Sequence, residues 1–341
     1  MVNDLVNRYL HNAVKKDQHD LVSSFLSGGG MDVNARDGYG MTALMWAAGR
    51  GYMSIASTLL ENGADLEARN ELLSAHSIEN LETGKGGSWT SGDQLGMVYA
   101  KKHHGWTALI WAARSGQTEM VRLLLGRGAD INAITKDGFT ALVHAVSNKH
   151  TETAQLLFEH GADPNLTEDG VSPALPIAAG HGLTDLVRAI LDRGGKIDAL
   201  DDNGHNALNN AVAHNESKTL ELLFEYDADL IDKCSDATER PPILYIAAAQ
   251  DALECAEILL DRGADMNAKD ELNRLTALEF ALDELSGPRV ARLLIERGAD
   301  TEGALSRVEY ARGTAEGDDI TEADSIIALL KDRAEAAAKE T

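Results

Sequence analysis

The stretch HGWTALIWAARSGQTEMVRLLLGRGADINA, residues 104–133, decides the fold because near copies of it return along the chain. Residues 38–68 read GYGMTALMWAAGRGYMSIASTLLENGADLEA, and residues 137–166 read DGFTALVHAVSNKHTETAQLLFEHGADPNL. A period of about 33 residues is typical of repeat architectures, in which each repeat is one small structural unit. The repeat therefore has to be interpreted before any other signal.

Two independent markers give the same period. The Leu of each T-x-L position, or its counterpart, falls at Leu44, Leu109, Leu142, Leu175, Leu208, Leu244 and Leu278, in steps of 65, 33, 33, 33, 36 and 34 residues. The first position of each G-A-D triplet follows at 63, 128, 161, 194, 227, 263 and 298, with Asp at 227. Because the two markers agree, the period is not an accident of one motif.

Each repeat reads as turn, helix, turn, helix. In the quoted repeat, Thr107 is placed to cap a helix N-terminus, and Leu109 and Ala112 form the packed side of that helix. Gly116 suits a left-handed helix end, and a second helix rich in Leu closes at Gly128. Helices this short are marginal alone, so we expect neighbouring repeats to cover their apolar sides.

This pattern resembles the ankyrin repeat family, whose repeats follow G-x-T-P-L-H-x-A-A and then V-x-x-L-L-x-x-G-A-D-x-N. Residues 106–132 match it strongly, and residues 39–67 and 139–165 match it well. The triplets at 194–196 and 227–229 depart from G-A-D. The resemblance covers almost the whole chain and implies an all-α ankyrin-repeat solenoid of helix-turn-helix units with hairpin loops, elongated and curved. It also implies that an Asn after the triplet braces the hairpin, as at Asn34, Asn132, Asn165 and Asn267.

About nine repeats are predicted, including two degenerate ends. We expect an N-terminal capping repeat at 1–36, repeat 2 at 37–69, an inserted loop at a hairpin tip at 70–103, repeats 3–8 at 104–302, a C-terminal capping repeat at 303–332 and a tail at 333–341. The insertion explains the one 65-residue step. Long loops are usually either functional or disordered, and both interpretations stay open here.

Composition and charge narrow the classes of protein. No apolar run is long enough for a membrane helix, the first residues lack a secretory signal, and two cysteines argue against a disulfide scaffold. We therefore expect a cytoplasmic protein, and a monomer. The net charge is −24, with −2 in residues 1–140 and −22 in residues 141–341. This charge disfavours nucleic acid and anionic membranes and favours a basic partner, although simple solubility would also explain it.

The resemblance supplies a candidate partner-binding surface. On the family's geometry, the residue two beyond each marker Leu projects from the first helix toward the concave face, at Trp46, Trp111, His144, Ile177, Asn210, Ile246 and Phe280. The hairpin tips add Tyr39, Trp106, Phe139 and His205, and the insertion adds Trp89. Aromatic residues supply much of the binding energy at protein interfaces. The alternative is that the indoles of repeats 2 and 3 simply pack under the inserted loop.

Acidic residues near the later hairpin tips form a second candidate for binding a basic protein. They are Glu168, Asp169, Asp201, Asp202, Asp236, Glu239, Asp270 and Glu271. Aspartates in turns often accept hydrogen bonds from their own backbone, so part of this row is explained by turn structure.

No catalytic, cofactor or metal residues are predicted. His76, His103 and His104 lack the Cys or acid spacing of a zinc site, and residues 84–88 lack the spacing of a phosphate loop. The sequence therefore predicts a non-catalytic scaffold that binds a partner protein through the concave face, the hairpin tips and residues 70–103. One version is an inhibitor or immunity-type binder of a basic protein. The alternative is an enzyme, or enzyme accessory, with a site formed around residues 70–103.

Overall fold

Helix pairs account for most of the chain. The computed structural model describes residues 2–29, 31–71, 105–167, 173–227, 229–231, 241–270, 274–314 and 317–340. Within these ranges the helices are α1 (Val2–Lys15), α2 (His19–Ser27), α3 (Ala43–Arg50), α4 (Met53–Glu61), α5 (Ala108–Arg114), α6 (Thr118–Gly126), α7 (Ala141–Ser147), α8 (Thr151–Glu159), α9 (Ala174–Gly180), α10 (Thr184–Asp192), α11 (Ala207–Ala213), α12 (Ser217–Tyr226), α13 (Ile243–Ala249), α14 (Leu253–Asp261), α15 (Ala277–Leu282), α16 (Pro288–Arg297), α17 (Ala304–Thr314) and α18 (Asp318–Glu340). A 3-10 helix, Asp283–Leu285, follows α15.

The all-α prediction is confirmed for these residues. Isolated β-bridges such as Arg36 with Thr42 close the hairpins, and the described ranges contain no longer strand. The helices of the described ranges form nine successive pairs, from α1 and α2 to α17 and α18. The predicted boundaries between repeats, insertion, caps and tail stay a prediction, because helix pairs do not fix where a repeat begins.

The chain divides into two compact parts. The N-terminal part comprises Met1–Ala174 and Arg193–Gly195, and the C-terminal part comprises Leu175–Asp192 and Lys196–Thr341. Each part has its own buried core of Leu, Ala, Val and Ile side chains. The marker leucines are all buried, among them Leu44, Leu109 and Leu142 in the N-terminal part.

Side-chain caps start the first helix of several repeats, as the sequence predicts for Thr107. The Thr107 hydroxyl accepts the backbone N–H of Ile110 at 3.4 Å, and Thr42 and Thr140 cap their helices in the same way at 3.3 Å. Gly116 closes α5 with a φ of +66°, which confirms the predicted left-handed helix end. A Cβ there would lie 2.6 Å from His150 of the next repeat, so the position also lets neighbouring repeats approach closely.

The asparagines after the G-A-D triplets join successive repeats rather than bracing a single hairpin. Asn34 accepts the backbone N–H of Asp65 at 2.8 Å and donates to the Gly63 carbonyl at 3.2 Å. Asn132 accepts the N–H of Asp163 at 3.1 Å, and Glu67 takes the same role in repeat 2. Since each bond reaches the next triplet, the side chain at this position fixes the stagger between neighbours.

Replacing Asn34 with Ala is expected to lower the free energy of unfolding by about 1 kcal/mol, because two backbone groups of the next repeat lose their partner. The matched control is Asn62→Ala at the end of α4, whose side chain bonds, among the described residues, only to the Thr58 carbonyl of the same helix. We expect the control to cost less than about 0.5 kcal/mol in the same urea titration. Equal losses for the two variants would contradict a role between repeats.

Candidate partner-binding surface

Asp37 organises the hairpin before α3. One carboxylate oxygen, Oδ1, accepts the backbone N–H groups of Tyr39 at 2.9 Å and Met41 at 3.1 Å. The other, Oδ2, accepts the indole N–H of Trp46 at 2.8 Å and lies 3.0 Å from the Lys15 ammonium. This aspartate therefore fixes the turn and the orientation of Trp46 together.

Two cations flank the ring of Trp46. Lys15 Nζ lies 4.3 Å from the ring centroid, and the Arg50 guanidinium carbon lies 4.7 Å from it. Tyr39 stands edge-on to the same indole, with ring centroids 6.2 Å apart. As a result Trp46 is only 7% exposed, and Tyr39 is also buried. Sequence reasoning missed Asp37 and Lys15, although an Asp nine residues before an aromatic marker position was a usable signal.

A second aromatic cluster joins repeats 3 and 4. The Trp106 ring lies 4.7 Å from Trp111 and 4.3 Å from His144, and Phe139 lies 5.5 Å from His144. Trp106 has no solvent exposure, Trp111 is 8% exposed, and His144 is also buried. Only Phe139 of this cluster is half-buried. These aromatic side chains thus pack mainly against one another.

Trp111 differs from Trp46 in its hydrogen bonding. The buried Trp111 Nε1 has no hydrogen-bond partner among the described residues, whereas Trp46 Nε1 donates to Asp37. The counterpart of Asp37 in this hairpin is Asn70, which precedes the insertion. The N–H of Asn70 donates to the Trp106 carbonyl at 3.1 Å, as that of Asp37 donates to Met41 at 2.9 Å, and Asn70 Oδ1 accepts the Trp106 N–H. Repeat 3 therefore has an amide side chain at the position where repeat 2 has the carboxylate that accepts the indole N–H.

The C-terminal part carries its candidate residues closer to solvent. Ile177, His205, Asn210, Ile246 and Phe280 are all half-buried. Four of them lie two residues beyond a marker leucine, and His205 lies at a hairpin tip, as the resemblance implies. Because part of each side chain reaches solvent, a partner could contact them without rearrangement of the core.

Asp201 makes the same kind of contacts as Asp37, but no cation pairs with it among the described residues. Its Oδ1 accepts the backbone N–H groups of Asn203 at 2.9 Å and His205 at 2.8 Å, and its Oδ2 accepts Asn210 Nδ2 at 2.8 Å. Asn210 occupies the position of Trp46, nine residues after the aspartate. The turn interpretation of this acidic row therefore holds for Asp201, while its neighbour Asp202 is exposed.

Several predicted residues lie outside the described residues. These are Trp89, Glu168, Asp169, Asp236, Glu239 and Glu271, together with residues 72–103 of the predicted insertion. The two flanks of that segment are described and meet. The Asn70 carbonyl accepts the N–H of Gly105 at 2.9 Å, and Asn70 Oδ1 accepts the N–H of Trp106 at 2.7 Å.

Possible metal ligands and the thiol of Cys255 can be located among the described residues. They contain no group of three His, Cys, Asp or Glu side chains that could hold a metal ion. Cys255 is buried in α14, and burial raises the pKa of its thiol to about 12, which keeps it protonated and a poor nucleophile. Among the described ranges, none of the helices is apolar over a length that would cross a bilayer.

Comparisons with known proteins agree with the repeat pattern. The family description "Ankyrin repeats (3 copies)" matches residues 3–70 and 91–168, and "Ankyrin repeat" matches residues 242–271. The first match leaves out residues 71–90, which belong to the predicted insertion.

Two curated relatives and one solved structure are similar to parts of the chain. "Ankyrin repeat and SOCS box protein 6" is 37% identical over 95 residues in Pongo abelii and 36% identical over 95 residues in Homo sapiens. In both cases the aligned stretch spans 26% of this chain and only 22% of the relative. The crystal structure of the human ASB11 ankyrin repeat domain aligns with a TM-score of 0.56 at 20% identity, covering 76% of this chain and 99% of that one. At that identity the likeness concerns the fold alone.

Proposed function

Since this chain belongs to the ankyrin repeat family, we propose that it binds a partner protein through the candidate residues of its first helices, its hairpin tips and residues 70–103. Ankyrin repeats generally mediate protein–protein interaction. A stack of repeats offers a preformed surface, so binding loses little conformational entropy.

The observation that carries the proposal is the recurrence of half-buried residues at one position per repeat. Ile177, Asn210, Ile246 and Phe280 all stand two residues beyond a marker leucine, and all keep part of the side chain in solvent. A packing requirement alone would bury this position, as it does for Trp46 in repeat 2. We therefore place the main contact with the partner on these later repeats, with Phe139 and His205 at the tips.

The partner that fits best is a basic protein. Residues 141–341 carry a net charge of −22, and carboxylates there such as Asp202 are exposed. A scaffold with this charge suits an inhibitor or immunity-type binder that covers a basic enzyme. Opposite charge accelerates encounter and disfavours nucleic acid as a competitor.

A matched pair of substitutions tests the surface. Ile246→Ser and Ile258→Ser each remove a half-buried isoleucine from the same repeat, one from α13 and one from α14. The binding protein is first captured from source lysate, identified and purified, and its affinity is then measured by calorimetry. We expect Ile246→Ser to weaken binding about tenfold, the scale of a lost apolar contact, and Ile258→Ser to leave it within about twofold. Equal effects of the two variants would place the contact elsewhere.

Deleting residues 72–103, the part of the predicted insertion beyond Glu71, tests the third part of the surface. We expect the deletion variant to keep its helical circular dichroism, because Asn70 and Gly105, which both remain, are already joined by a hydrogen bond. Partner affinity should fall if the segment contributes contacts. An enzymatic activity that copurifies with the full chain and disappears on deletion would instead favour the alternative of a site around residues 70–103.

Ionic strength tests the charge. The association rate constant with the purified partner is expected to fall at least about tenfold between about 0.05 M and about 0.5 M salt, while the dissociation rate changes little. Stopped-flow fluorescence measures both rates. An association rate that does not depend on salt would rule out a basic partner recognised through the acidic repeats.

A further inference from the structure

The C-terminal part contains an open groove of about 620 Å³ that the family resemblance does not predict. It lies between the 3-10 helix Asp283–Leu285, which follows α15, and the first helix of the last pair, α17. Its lining includes Phe280, Asp283 and Ser286 on one wall and Ser306, Arg307 and Tyr310 on the other. This volume is in the range of sites that hold small ligands or a few side chains of a peptide.

An extra residue marks this repeat in the sequence. From the marker leucine to the first triplet position there are 19 residues in the six preceding repeats, but 20 from Leu278 to Gly298. In the structure α15 is cut to six residues, and the 3-10 helix with Leu285 at a φ of +54° takes up the remaining chain. The groove is therefore lined by a 3-10 helix that the described residues of the other repeats do not contain.

The walls of the groove are aromatic and unusually open. Tyr310 is 78% exposed, the highest value among the exposed large apolar side chains of the described residues. Phe280 is half-buried, with its ring centroid 4.1 Å from that of Tyr245. An exposed tyrosine facing such a groove contributes little to the folded core, and it is well suited to contact a partner.

Carboxylates outnumber cations beside these rings. Arg307 Nη1 lies 2.8 Å from Asp283 Oδ1, and its Nη2 lies 3.6 Å from Glu279 Oε1, so one guanidinium already faces two carboxylates. Asp283 Oδ2 makes no hydrogen bond among the described residues and remains able to accept from a ligand. The local balance is one negative charge in excess, within the stretch that carries −22 overall.

We propose that this groove receives an arginine side chain from a basic segment of the partner. The guanidinium plane would lie against the Tyr310 ring, and its N–H groups would donate to Asp283 Oδ2. Arginine fits better than lysine, because a planar guanidinium stacks on an aromatic face and presents donors along its edge at the same time. The proposal deepens the protein-binding function proposed above and rests on it, since it names the side chain that the surface recognises.

Synthetic peptides test the groove without the natural partner. The probes are a blocked pentapeptide with a central arginine flanked by leucines, and the same peptide with citrulline, the uncharged analogue, or glutamate at the centre. Binding is followed by NMR titration of the intact chain, at the rings of Tyr310 and Phe280. We expect the arginine peptide to shift these resonances and to bind about threefold to tenfold more tightly than the citrulline peptide.

Two variants and a control separate charge from stacking. Asp283→Asn should bring the arginine peptide down to the affinity of the citrulline peptide, while Arg307 keeps Glu279 as a partner. Tyr310→Ala should weaken both peptides. Glu309→Gln removes one charge from an exposed position of the same helix that does not line the groove, and it should change neither affinity by more than about twofold.

The outcomes also distinguish this proposal from the general function. Equal binding of the arginine and citrulline peptides, tighter binding of the glutamate peptide, or unmoved Tyr310 and Phe280 resonances would each overturn the arginine site. Any of these results, combined with loss of partner affinity in Ile246→Ser, would leave the general protein-binding function standing. Conversely, arginine-selective binding with no effect of Ile246→Ser would keep the groove and move the remaining surface elsewhere.

Discussion

Replacing Trp106 with Ala is expected to lower the free energy of unfolding by about 3–5 kcal/mol. Trp106 has no solvent exposure, and its ring contacts Trp111 at 4.7 Å and His144 at 4.3 Å between centroids. Alanine would leave a cavity at the junction of repeats 3 and 4, and both neighbouring rings would lose a packing partner. Urea unfolding followed by circular dichroism measures the loss.

Phe139→Ala is the matched control for Trp106→Ala. Phe139 belongs to the same cluster and lies 5.5 Å from His144, but it is half-buried. Its truncation opens a site that water already reaches, so we expect a loss of about 1–2 kcal/mol. Trp106→Phe should fall between the two variants because it keeps part of the ring contact. A loss below about 1 kcal/mol for Trp106→Ala would show that the cluster does not stabilise the repeat junction.

Because Trp46 and Trp111 are also buried, their role in partner binding is hard to test by replacing them. On the sequence, Trp46 and Trp111 are candidates whose removal would abolish partner capture without unfolding the protein. At 7% and 8% exposure, both indoles are core side chains, and their replacement by Ala is also expected to cost stability. Their role in binding stays a prediction. It is better examined at half-buried neighbours such as Ile177 and Ile246.

Local signals predicted the fold well. Thr107 caps a helix, Gly116 ends one, and the marker leucines are buried, because each of these roles depends on a few neighbouring residues. The nine helix pairs seen in the described part of the chain follow from the same signals repeated. By contrast, the burial of Trp106 depends on His144 from the next repeat, and that of Trp46 depends on Lys15 from the first. A single repeat read alone contains neither contact.

The groove beside Tyr310 marks a different limit of sequence reasoning. The extra residue after Leu278 was visible as unequal steps of the two markers, 34 and 35. Its consequence was not, because an added residue can lengthen a helix, widen a turn or form a bulge. Here it accompanies a shortened α15 and a 3-10 helix, which brings Asp283 beside Arg307. The position of the Asp283 carboxylate therefore depends on which of these backbone changes the extra residue causes.

Asp37→Ala is expected to lower the free energy of unfolding by about 3–5 kcal/mol, because it leaves a mostly buried cation without its counter-ion. Lys15 is 13% exposed at the side chain and lies 3.0 Å from Asp37 Oδ2. The substitution also removes the acceptor for Trp46 Nε1 and for the backbone N–H groups of Tyr39 and Met41. The first helix and the hairpin of repeat 2 should therefore loosen together.

Asp201→Ala provides the matched control for Asp37→Ala, since Asp201 makes the equivalent bonds to two backbone N–H groups and to Asn210 but has no ion pair in the described residues. We expect it to cost about 1–2 kcal/mol, the value of turn hydrogen bonds alone.

Adding Lys15→Met to Asp37→Ala should recover part of the larger loss, because the uncompensated charge is then removed. Urea unfolding of these three variants, of Lys15→Met alone and of the parent gives the coupling. If Asp37→Ala costs no more than Asp201→Ala, the Lys15 ion pair contributes nothing, and the cations around Trp46 would have to be retained for a reason other than stability.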